Sequence, residues 1–167
     1  MKTSGKLFTI STLACSVWLL TQPTQAQTLA KNEDWLQKQF NKLVTDENKK
    51  ETPKFTFKGC QMNMAVDSKE KDMSVGVNMA WQLRDVRKVS YKKEKNGQYT
   101  LLLDVPADKI KMAMNMGGFS GSFNTDGKDN QTKDNTTSLN LETTDESLVK
   151  QIKRKLEESA QLCRQGN

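Results

Sequence analysis

The chain has 167 residues, a formal net charge of +6 and no histidine. That length supplies one domain able to bury a sizeable core, and the charge is too small to point to nucleic acid. Without histidine the commonest general base is missing, as is the commonest metal ligand, and Ser/His or Cys/His catalysis is excluded.

Residues 1–26 have the make-up of a secretory signal peptide. Lys2 and Lys6 give a positive start, Leu7 to Leu20 an apolar stretch, and Thr24-Gln25-Ala26 a small-residue cleavage site, so cleavage is expected after Ala26. The apolar stretch is shorter than the roughly 20 residues a membrane-spanning helix needs. Removing residues 1–26, which hold two lysines and no acid, brings the net charge to +4 and leaves Cys60 and Cys163 as the remaining cysteines. A periplasmic or secreted location follows, and an even cysteine pair in an oxidising compartment predicts a Cys60–Cys163 disulfide.

Residues 27–53 read as an N-terminal helix and linker. In "NEDWLQKQFNKLV" Asn32 is the expected N-cap, and Leu36, Phe40, Leu43 and Val44 form the apolar stripe. Residues 54–167 read as one β-rich domain closed by a C-terminal helix. "KFTFKGCQMNMAV" alternates as one strand whose inward phase shifts at Gly59, predicting a bulge or sharp bend. Its parity groups Cys60 with Met62 and Met64. The next strand puts Val75, Val77, Met79, Trp81 and Leu83 on one face. A hairpin follows, and a three-residue loop, Lys95-Asn96-Gly97, pairs Tyr91 with Leu101 and Val89 with Leu103, the register that keeps apolar faces together. "DKIKMAMNM" is a strand with Met112, Met114 and Met116 in phase with Ile110; a weak strand near Phe119, a polar loop and a short strand "SLNLET" come next. Thr143 to Glu146 predicts a capping box ahead of a helix with Leu148, Val149, Ile152, Leu156, Ala160 and Cys163 on one stripe.

Two groups of residues suggest chemistry. Arg84, Arg87, Lys88, Lys92 and Lys93 cluster on and before the hairpin, a basic stripe suited to an acidic protein or an anionic envelope component. Met112, Met114 and Met116 offer thioethers to a soft ion such as Cu(I). Read against Ile110 and the disulfide, the methionines are expected to be core filler. The acids Asp104 and Asp108 form no evident catalytic pair, and Gly117-Gly118 with Gly121 starts no helix, so a phosphate-binding loop is not expected.

The segments "FKGC" (Phe57–Cys60), "LRDVRKVSY" (Leu83–Tyr91) and "LEESAQLC" (Leu156–Cys163) resemble those of small exported bacterial proteins of unassigned function with a pleckstrin-homology-like (PH-like) barrel. The resemblance implies an α+β fold: an antiparallel sheet or bent barrel of about six to seven strands, an N-terminal helix and a C-terminal capping helix. The expected function is a non-enzymatic envelope binding module that needs no cofactor. The alternative is a periplasmic Cu(I)-binding protein.

Overall fold

A computed structural model describes residues 24–44, 52–70, 73–116, 119–124 and 136–166. Helix α1 spans Gln25–Leu43 and helix α2 spans Glu146–Gln165. Between them run β1 (Lys54–Lys58), β2 (Gln61–Glu70), β3 (Met73–Gln82), β4 (Lys88–Lys93), β5 (Tyr99–Asp104), β6 (Lys111–Met116), β7 (Phe119–Asn124) and β8 (Thr136–Leu141). The expected leader up to residue 23, the linker at 45–51, Gly117-Gly118 and most of the polar loop between β7 and β8 lie outside the described residues.

The α+β class is as expected, but the bent barrel is not formed. The strands make two open antiparallel sheets, ordered β1-β2-β3-β6-β7 and β4-β5-β8. Two 3-10 turns, Leu83–Asp85 and Ala107–Lys109, carry the chain between sheets, from β3 to β4 and from β5 to β6. Consecutive strands therefore separate where a barrel would keep them paired.

The phase shift at Gly59 comes from a full chain reversal in place of the expected bulge or sharp bend within one strand. Gly59 and Cys60 both have positive φ, +55° and +70°, and the chain reverses completely between Lys58 and Gln61. Two consecutive left-handed residues make the tight turn whose twist matches a hairpin. The predicted single strand is thus β1 and β2, which accounts for an eighth strand. Cys60 lies at the turn, not on the face of Met62 and Met64.

Helix α1 starts seven residues before Asn32. Its N-cap is Thr24, whose hydroxyl accepts from the Gln27 N–H at 3.4 Å. Asn32 is buried inside the helix, where its amide donates to Glu158 Oε2 (3.0 Å) and its carbonyl accepts from Lys155 Nζ (2.7 Å), both on α2. An asparagine with tertiary partners need not cap. At α2 the N-cap is Asp145, one Oδ1 accepting from the Ser147 and Leu148 N–H groups, in place of the expected threonine box.

The core forms where the helices meet both sheets. Leu36, Phe40 and Leu43 of α1 and Val149, Ile152, Leu156 and Ala160 of α2 close over Phe55, Met62 and Trp81 of the larger sheet. Val89, Leu101, Leu103, Leu139 and Leu141 of the smaller sheet complete it. Phe40 lies 5.2 Å from Phe55 and stacks on Phe57 at 5.8 Å. Each such side chain contributes on the order of 1.5–3 kcal/mol through removal from water. The three-residue hairpin loop is as predicted: Gly97 has φ +86°, the Glu94 N–H donates to Gln98 O at 2.8 Å, and Tyr91 pairs with Leu101.

β1 is a sheet edge, and an unpaired edge exposes backbone groups to other chains. Helix α1 satisfies it with side chains spaced four residues apart, hence on one face. Asn41 accepts from the Phe55 N–H (2.7 Å) and donates to its carbonyl (2.9 Å), and Gln37 accepts from the Phe57 N–H (3.0 Å). The carboxylate of Glu33 receives the N–H groups of Gly59 (3.3 Å) and Cys60 (2.8 Å). The Cys60–Cys163 disulfide then fastens the same turn to α2, with Cα atoms 5.7 Å apart across a separation of 103 residues.

Two stability predictions follow from these links. Asn41→Ala should lower unfolding free energy in urea by about 1–3 kcal/mol, because it orphans both backbone groups of Phe55. Replacing Cys60 and Cys163 together by serine should cost roughly 2–5 kcal/mol in the same assay. No change in the midpoint would show that the link contributes nothing.

Candidate functional site

Strand register places a broad apolar surface on one face of the larger sheet. Met64 lies opposite Met79, and Met79 opposite Met112; Val66 lies opposite Val77, and Val77 opposite Met114. Residues directly opposite share a face, so these six and Val75 form one surface. It continues the core outward from Met62 and Trp81, which are fully covered. Met64 and Met79 pack against the core's margin, whereas Val66, Val75, Val77, Met112 and Met114 lie beyond it and are half-buried. The helices pack on β1, β4, β5, β8 and the Leu83–Asp85 turn, and β6 and β7 pack chiefly within their own sheet. Of the methionines expected as core filler, Met62 is buried in the core, Met64 and Met79 pack against its margin, and Met112 and Met114 are half-buried beyond it. Met116 keeps their register, opposite Val75 and Phe119. Strand alternation found this face; the sequence did not reveal that the helices cover only one end of it.

The basic residues are spread over several environments. β4 is an edge strand, and at about 3.3 Å per residue Lys88 and Lys93 are separated by roughly 16 Å along it. Lys92 pairs with Glu94 at 3.0 Å, and Lys93 lies 5.9 Å from the centre of the Tyr99 ring. Glu94 also accepts from the Thr100 hydroxyl at 2.6 Å. Arg84 belongs to the 3-10 turn, at a cleft of about 620 Å³ that also contains Leu29, Gln82, Leu162 and the disulfide. Arg87 donates its backbone N–H to Asp104 O, opposite Lys88 in the register. Lys92 is thus ion-paired with Glu94, Lys93 lies beside the Tyr99 ring, and Arg84 lines a separate cleft.

Asp108 pairs with Lys109 at 3.3 Å, while Asp104 sits on β5 facing Lys88. No group of three His, Cys, Asp or Glu side chains suited to a metal occurs among the described residues. No described helix is long and apolar enough to cross a membrane.

Charge does organise the junction of β4 and α2. Tyr91 donates its hydroxyl to Glu146 Oε1 (3.1 Å), which also pairs with Lys150 (3.0 Å). Lys150 and then Tyr91 hold the Glu146 carboxyl below its ordinary value. Thr100 and Lys92 do the same for Glu94, and Ser147 and the Leu148 N–H for Asp145. A carboxylate depressed in the native state stabilises the fold above its unfolded pKa of about 4, and that contribution is lost as pH falls through the native value. The urea midpoint should therefore drop as pH is lowered below about 4, and Glu146→Gln should shallow the drop; an identical profile in the variant would remove Glu146 from the account. In comparisons with known proteins, the chain matches no family model, no curated protein and no solved structure.

Proposed function

We propose that this chain is a non-enzymatic binding module of the bacterial envelope that engages a protein or peptide through the open apolar face of its larger sheet. The observation that carries the reading is the run of half-buried Val66, Val75, Val77, Met112 and Met114 beyond the helix-covered core. Contiguous apolar surface of this kind marks interaction sites more often than isolated exposed residues do. Export is supported by the composition of residues 1–26 and by a disulfide, which persists in oxidising compartments. Arg84, Arg87, Lys88, Lys92 and Lys93 then serve to steer an acidic partner rather than to form its pocket.

Photo-crosslinking in cells, with the reactive residue placed at Val77 or at Ser90, tests the reading. A discrete adduct from position 77 and none from position 90 is expected. Adducts from position 90 alone, or from neither, would contradict binding at this face.

A further inference from the structure

The methionines of the open face have an arrangement that the spacing along one strand concealed. Met112 and Met114 alternate on β6, so their Cα atoms are about 7 Å apart. Across strands the separation is shorter, about 4.5–5.5 Å for directly opposite residues. Met79 lies directly opposite Met64 on one side and Met112 on the other, and Met114 is the diagonal neighbour of Met79. Met64, Met79 and Met112 thus form a row across three adjacent strands with Met79 in the middle, and Met114 lies diagonally beside it. On β7, Gly121 lies opposite Met114 and Phe123 opposite Met112.

Strand preference alone does not account for this. Strands favour β-branched and aromatic residues, and the same face uses valine at 66, 75 and 77. Methionine as filler suits Met62, which is fully buried, but Met64, Met79, Met112 and Met114 are all half-buried. Thioethers are soft ligands on three rotatable bonds, able to lean toward a shared ion, and they select Cu(I) among biological metals. Unlike thiols they do not pair into disulfides, so they stay available where Cys60 and Cys163 are oxidised.

We propose that Met79, with Met64, Met112 and Met114, forms an all-thioether site for one soft monovalent cation, Cu(I). This site does not depend on a protein partner at the face. Ag(I) is the probe, because it needs no reductant and leaves the disulfide intact. The full chain is used, oxidised and alkylated so that Cys15 is blocked.

Native mass spectrometry should show one Ag(I) per chain, and methionine methyl resonances of residues 64, 79, 112 and 114 should move while that of Met62 stays. Leucine is close to methionine in volume, so Met79→Leu preserves the fold, and it should weaken binding about tenfold or more. Met62→Leu should bind as the parent does. No stoichiometric Ag(I), or equal binding by parent and Met79→Leu, would overturn the site. Retained Ag(I) binding without any crosslink at position 77 would remove the protein partner and leave the metal site standing.

Discussion

The two-residue turn at Gly59-Cys60 is held from both sides, and the arrangement of the molecule depends on it. On one side the Glu33 carboxylate of α1 accepts both of its N–H groups; on the other, Cys163 of α2 is bonded to its sulfur. The Cys60 carbonyl accepts from the Leu83 N–H at 2.7 Å, which ties in the end of β3 where the chain leaves for the second sheet. Both helices and both sheets therefore meet within a few residues of one reversal. Left-handed backbone at a non-glycine residue costs of order 1–3 kcal/mol unless its surroundings fix it, and here a carboxylate and a covalent bond do so.

Gathering the helices at that end has a consequence at the other. Residues near the turn, Phe55, Met62 and Trp81, are covered; the same strands continue past the helices and carry their apolar face with them. The reverse face of this extension is small and polar. Gly76 is buried there, and a Cβ added to it would come within 3.1 Å of the Asp67 carboxylate. Asn63, Asn78 and Asn115 lie on the same side. A sheet polar on one side and apolar on the other is the usual consequence of packing one face.

Much of this was legible in the sequence, for physical reasons. The helix stripes follow from their 3.6-residue period, the β4–β5 register from matching apolar faces around Asn96-Gly97, and the disulfide from the cysteine count. The turn at Gly59 was missed because a two-residue reversal and a one-residue bulge shift the alternation alike; only the positive φ at Cys60 separates them. Asn32 misled because a capping residue type can instead bridge helices, and Glu158 and Lys155 are 126 and 123 residues away. The methionine arrangement was hidden for a similar reason. Spacing along β6 shows Met112 and Met114, but Met64 and Met79 join them only through a strand order in which β6 returns beside β3.

The openness of the methionine face is the claim on which the functional reading rests. Relaxation of methionine methyl signals by a soluble paramagnetic agent measures it directly in the oxidised full chain. Strong enhancement at Met112 and Met114, intermediate at Met64 and Met79 and none at Met62 is the predicted pattern. Protection of Met112 and Met114 equal to that of Met62 would show the face to be covered and would contradict the account.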